Sequence, residues 1–201
     1  MKRILYLKSS LFGEHSYSSK LGDAIVDRIL AKYPESTVAE LDLVATNLPH
    51  LSPTVLATFF AAPPDLSSEQ QDLRKRSDEL VGQLMECDIL VVGAPLINFT
   101  IPSYLKSWID HVTRAGITFG YGENGYPMGL VTGKKVYVAM ASGGIYSEGP
   151  GKENDFVAPY LTTVLGFLGM RDLTIYRAEG VKVPGIKETV MQTAIESIAL
   201  D

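Results

Sequence analysis

Cysteine is almost missing from this sequence: Cys87 is the only one. No intrachain disulfide can form, and the chain fits a reducing, cytoplasmic compartment. Positive charge is in deficit, with 18 Lys and Arg against 23 Asp and Glu and a formal net charge of -5. A chain without a basic face has no electrostatic footprint for nucleic acid. Long apolar runs are also missing. No stretch approaches the roughly 20 apolar residues of a membrane-spanning helix, so no membrane insertion is expected. The apolar run near the N-terminus ends at Lys8 after four residues, too short for a secretory signal. His15, His50 and His111, the three histidines, are scattered with no carboxylate or thiolate at ligand spacing, which argues against a metal site.

What is present is a globular composition, 46% apolar and 20% charged over 201 residues, without internal repeats or a linker. It reads as one domain spanning 1–201. Residues 3–8 (RILYLK) form a strand pattern, followed by the polar loop Ser9–Ser19 and a helical pattern from Lys20 whose apolar face holds Leu21, Ile25, Ile29 and Leu30. Residues 37–43 alternate as an edge strand. The proline-bearing excursion 47–66 leaves room for one short helix at 53–61. Ser68 with Gln71 predicts a capping box opening a helix to about Cys87, with Leu73, Leu80, Leu84 and Met85 toward the core.

Residues 88–94 are a buried central strand, followed by a helix at 102–115 and a glycine-rich loop or hairpin at 116–133. A strand at 134–141, a helix at 155–168, a fifth strand at 171–177 and a last helix at 185–199 complete the pattern. The alternation predicts an α/β fold, a doubly wound five-stranded parallel sheet in the order 2-1-3-4-5 with helices on both faces.

In such a sheet ligands bind beyond the carboxyl ends of the strands. Three loops qualify. The first, Ser9–Ser19, places hydroxyls at a helix N-terminus, where unpaired N–H groups and the helix dipole favour an anion such as a phosphomonoester. The bland alternative is a serine-rich capping loop. The second, Ala94–Pro102, offers a rigid apolar edge with Asn98 as its polar contact. The third, Ser142-Gly143-Gly144, lets backbone approach a ligand closely. Gly120–Gly125 spells G-x-G-x-x-G outside any strand-to-helix junction, and Gly129–Lys135 is one residue short of a phosphate loop, so neither supports a dinucleotide or ATP site. Ser142 lacks the G-x-S-x-G elbow of hydrolases. Cys87, between a helix and a buried strand, reads as a packed thiol.

LKSS (7–10), HSYSS (15–19), GAPLINF (93–99), RAGITFGYGENG (114–125), GLVTGKK (129–135), SGGIYSEGP (142–150) and PYLTTVLGFLGM (159–170) together resemble the FMN-dependent NADH-azoreductase family, relatives of the NAD(P)H:quinone oxidoreductases with flavodoxin-like folds. The resemblance covers nearly the whole chain. It implies that FMN is the cofactor, NADH or NADPH the electron donor, and quinones and azo compounds the acceptors, reduced by two-electron ping-pong hydride transfer. It implies that Ser10, Ser16, Tyr17 and Ser18 hold the phosphate and ribityl end, that Pro95, Leu96, Ile97, Asn98 and Phe99 edge the isoalloxazine, and that Ser142, Gly143 and Gly144 complete the pocket. It further implies a homodimer with active sites at the interface, and Phe119 and Tyr121 closing with Phe99 over the substrate position. Tyr146 is a candidate proton donor. Two departures stand out: the family's second loop often reads Met-Tyr-Asn-Phe where this chain has Leu-Ile-Asn-Phe, and its third often reads Ser-Arg-Gly-Gly where this chain has Ala-Ser-Gly-Gly. An electron carrier of the same fold and a non-enzymatic quinone-binding or redox-sensing module remain as other readings.

Overall fold

The computed structural model describes residues 1–61 and 65–200. Five parallel strands make the central sheet: β1 (Arg3–Lys8), β2 (Thr37–Asp42), β3 (Ile89–Pro95), β6 (Lys135–Ser142) and β7 (Asp172–Glu179). They lie in the order β2-β1-β3-β6-β7, which is the predicted 2-1-3-4-5 counting sheet strands alone. The central strand β3 is buried throughout, as its unbroken apolar run requires, and β2 is the exposed edge. Side chains alternate between two cores. Leu5, Leu7, Leu90, Val92, Val136 and Val138 face one. Ile4, Tyr6, Val91, Tyr137 and Ala139 face the other, beneath α1 (Tyr17–Lys32).

The remaining helices are α2 (Leu43–Thr46), α3 (Pro53–Phe60), α4 (Ser68–Glu86), α5 (Ser103–Val112), α6 (Ala158–Leu168) and α7 (Val190–Glu196). The hairpin option for 116–133 is realised as β4 (Phe119–Tyr121) paired antiparallel with β5 (Pro127–Gly129). The short helix expected at 53–61 is α3; positions 62–64 of that excursion lie outside the described residues.

Several boundaries differ from expectation. Helix α1 begins at Tyr17, not Lys20, because Ser16 caps it by accepting the Ser19 N–H at 3.1 Å. The capping box of α4 is Ser67 with Gln70, one residue earlier than predicted; the serine and glutamine pairs 67/68 and 70/71 allow both registers. Met85 is exposed, and the buried stripe runs through Ser77, Leu80, Val81 and Leu84. Helix α5 stops at Val112, where Arg114 turns inward to Ser77 and Asp78. Ahead of α6, Gly149–Asn154 form a 3-10 turn, so that helix starts three residues late. The last helix is short because Pro184 and Gly185, with its φ of +89°, hold 181–189 in turns.

Cys87 is buried, and its Sγ–H donates to the Leu84 carbonyl at 3.3 Å. Burial pushes its thiol up to about 11. At pH 7.5 the native protein should therefore resist iodoacetamide over hours yet label fully in guanidinium chloride. Rapid labelling of the folded protein, followed by mass spectrometry, would show that the thiol is open.

Candidate active site

The site is built where α1 begins. Gly93 lets it do so: a Cβ there would stand 3.3 Å from the Leu7 carbonyl and 3.5 Å from that of Ser18, so the bare backbone of β3 admits the first turn of α1. From below, the Tyr6 hydroxyl donates to the Ser19 carbonyl at 2.8 Å. Burial, with Asp23 nearby, raises this phenol far above its ordinary range and keeps it a donor. The first intrahelical bond runs from the Lys20 N–H to the Ser16 carbonyl, which leaves the Tyr17 and Ser18 amides at the open end of the helix. Ser16 and Ser18 are both buried, with their hydroxyls 3.1 Å apart. Ser9 is not part of this cradle, since its hydroxyl donates to the Gly93 carbonyl at 2.6 Å. Ser10 accepts the Phe12 N–H at 3.2 Å.

The second loop is a tight turn in which Ile97 and Thr100 exchange N–H···O bonds of 2.9 and 3.1 Å. Asn98 and Phe99 at its tip have φ of +48° and +71°. Asn tolerates that region, whereas Phe there costs of order 1–3 kcal/mol. The turn is held in place from outside by the Phe156 N–H, which donates to the Phe99 carbonyl at 3.1 Å. The strained residue carries an exposed ring edge-on to Tyr146, with centroids 6.3 Å apart.

The third loop is fixed from β7. The Glu179 carboxylate accepts the Tyr146 and Ser147 amides, each at 3.2 Å, and pairs with Arg177 at 2.9 Å. Arg177 in turn holds Asp155 at 2.8 Å, whose other oxygen accepts the first amides of α6. Ser142 spends its hydroxyl on the Gly144 carbonyl at 2.8 Å, shaping its own loop. The arginine and the two acids that fix this loop were missed in the sequence; the signal for Arg177 and Glu179 was a pair of charges at the end of a half-buried strand pattern, and Asp155 gave none beyond its place ahead of a helix.

These loops enclose a cavity of about 310 Å³ lined by Ser10, Ser16, Tyr17 and Ser18, by Pro95, Leu96 and Ile97, and by Ser142 and Gly143. The lining therefore brings together nine of the residues the sequence nominated. It adds Phe12, His15, Val181 and Lys182. Asn98, Phe99, Gly144 and Tyr146 are not among its lining residues. Phe119 and Tyr121 lie on the β4–β5 hairpin: Phe119 packs on Phe167 at 4.8 Å between centroids, and Tyr121 is exposed. The letters of Gly120–Gly125 belong to that hairpin turn, closed by the Gly122 and Gly125 amides. A larger cavity of about 460 Å³ opens at the opposite end of the sheet, away from the three loops.

The sheet order is that of the flavodoxin-like fold, and the family described as having that fold matches residues 2–200. The chain belongs to this family. Within it, an FMN-dependent NADH:quinone oxidoreductase of Herminiimonas arsenicoxydans is 44% identical over 196 residues, covering 96% of each chain. One from Ralstonia nicotianae is 46% identical over 178 residues, 88% of this chain and 85% of that one. Among solved structures, an azoreductase from Bacillus anthracis superposes with a TM-score of 0.90 at 34% identity, covering 98% of this chain and 96% of that one. An FMN-dependent NADH-azoreductase from the same species, in complex with FMN, superposes at 0.85 with 29% identity, over 98% and 95% of the chains. Among the described residues no helix is long and apolar enough to cross a membrane.

Proposed function

We propose that this chain is an FMN-dependent NADH:quinone oxidoreductase that also reduces aromatic azo compounds, acting as a cytoplasmic homodimer. The observation that carries the reading is the single cavity joining the open N-terminus of α1 to the second and third loops. Two open helix amides and two buried hydroxyls fit a phosphomonoester. The apolar Pro95, Leu96 and Ile97 fit a flat ring, and the glycine loop allows close backbone approach. Bound FMN would supply the acceptor for a hydride and return two electrons to an oxidant.

The chain's own residues do the rest. Ser10, Ser16, Tyr17 and Ser18 anchor the phosphate and ribityl end. Leu96, Ile97, Asn98 and Phe99 would edge the ring, and the amides after Ser142 would offer donors to the negative charge that accumulates on reduction. Tyr146, placed beside Phe99 by Glu179, is positioned to give a proton to the reduced acceptor. The dimer is supported by the hairpin, where Tyr121, Tyr126 and Met128 are 68%, 72% and 53% exposed on a loop with little surface of its own to cover them. In that assembly Phe119 and Tyr121 would wall the partner's site.

With no separate dinucleotide fold, the nicotinamide and the oxidant share one place. The purified protein should be yellow, and anaerobic NADH should bleach it at one equivalent per flavin. Initial rates at several fixed quinone concentrations should give parallel double-reciprocal lines. Intersecting lines would end the shared-site mechanism. A yellow protein that NADH does not bleach would be an electron carrier, and a colourless one that takes up no FMN would be a non-enzymatic member of the fold.

A further inference from the structure

We infer that Lys182 is the countercharge to the FMN phosphate, a cation delivered to the serine loop from the far end of the chain; this rests on the reading that the first turn of α1 holds that phosphate. No residue of the loop 9–19 is a lysine or arginine, so the loop brings hydroxyls, amides, the Glu14 carboxylate and the His15 imidazole, and no long basic side chain. Among the residues lining the cavity Lys182 is the sole lysine or arginine, and none is an aspartate or glutamate. In a chain of net charge -5 that bias is local.

The backbone fixes where Lys182 stands. After β7 the chain turns at Gly180, φ +82°, and the Gly180 and Val181 amides donate to the Ser142 carbonyl at 3.1 and 3.2 Å. The Lys182 amide then donates to the Gly143 carbonyl at 3.1 Å. Its stem runs past Gly143, with Cδ 3.4 Å from where a Cβ would lie, so the missing side chain of the third loop leaves the lane that the lysine follows. Lys182 forms no ion pair among the described residues, and the nearby Glu179 is engaged by Arg177. Lys182 lines the same cavity as Ser10, Ser16, Tyr17 and Ser18, whereas Asn98, Phe99 and Tyr146 do not. A phosphomonoester carries close to two negative charges above its second pKa near 6, so the pairing strengthens above that pH.

The test uses full-length protein freed of flavin and titrated with FMN and with riboflavin, which lacks the phosphate. Lys182→Gln should weaken FMN binding about tenfold, or about 1.4 kcal/mol, and leave riboflavin unchanged. Lys182→Arg should restore most of the difference. The salt dependence of FMN affinity should shrink in Lys182→Gln. Unchanged FMN affinity, or equal losses for both ligands, would overturn the inference; equal losses would mean that only the stem matters. So would intact FMN affinity with a midpoint potential lowered by about 30 mV, the two-electron equivalent of tenfold, because the charge would then act on the ring. The double variant Ser16→Ala, Ser18→Ala separates the two layers. If it binds FMN poorly while Lys182→Gln binds normally, the lysine inference fails alone. If it binds FMN normally while Lys182→Gln loses FMN selectively, the serine reading fails and takes the inference as stated with it, leaving a lysine–phosphate contact away from α1.

Discussion

The double replacement of Ser16 and Ser18 by alanine should weaken FMN binding about a hundredfold at neutral pH. Both hydroxyls are buried at the mouth of α1 and, 3.1 Å apart, have each other as partner. A phosphate can take both as donors, since each hydroxyl rotates freely about its C–O bond. Hydrogen bonds to a charged group contribute about 1.5–3 kcal/mol each. Two at the lower end make about 3 kcal/mol, which corresponds to about a hundredfold in Kd. Ser16 has a second duty, as the cap that accepts the Ser19 amide. Its loss costs about 1 kcal/mol of stability, a drop of about 2–4 °C in Tm for a chain of this size. Ser18 is not the cap, so the single Ser18→Ala variant should lose affinity with its Tm unchanged. Calorimetric titration with FMN, beside thermal melts, resolves the two effects. An FMN affinity equal to wild type in the double variant would remove the phosphate from this helix.

The sheet was legible because its signal is physical and local. An apolar run such as 88–94 between turn residues can hardly be anything but a strand covered on both faces, and β3 is that strand. The rule that ligands gather at strand carboxyl ends then found the three loops. Where the reading slipped, two local signals competed. The serines of 16–19 look like loop because serine is a poor helix former, yet a serine at a cap begins a helix. The run 185–199 has apolar residues at helical spacing, and Pro184 with Gly185 overrides them at the start. Lys182 went unseen for a different reason. It sits at a strand carboxyl end, that of β7, and the same rule would have nominated the loop after the fifth strand had it been carried one strand further. The Arg177–Glu179 support of the third loop is a tertiary contact, and only the folded sheet, which sets β7 beside β6, brings it there.

Gly129→Ala should cost about 3 kcal/mol of stability, about 10 °C in Tm, and should dissociate the proposed dimer. At the end of β5, a Cβ on Gly129 would lie 2.2 Å from the Gly169 nitrogen and 2.3 Å from the Leu168 carbonyl carbon. These are backbone atoms, so no rotamer change relieves the overlap. Gly169 itself is the C-cap of α6 with φ +109°, and a Cβ there would approach Gly129 and Val131 in turn. The two glycines face each other with no room between them, and the Val131 amide donates to the Leu168 carbonyl at 2.9 Å beside them. A two-stranded hairpin with three residues per strand does not stand by itself. This contact and the packing of Phe119 on Phe167 seat it on the core. Displacing it moves Tyr121, Tyr126 and Met128, the apolar surface assigned to the dimer, while the same chain's cavity lining holds no residue of the hairpin. Light scattering and thermal melts on one preparation read the two quantities together. A destabilised variant that stays dimeric would place the interface elsewhere. An unaltered Tm would show that the hairpin is seated by other contacts, and a fully active wild-type monomer at micromolar concentration would remove the dimer altogether.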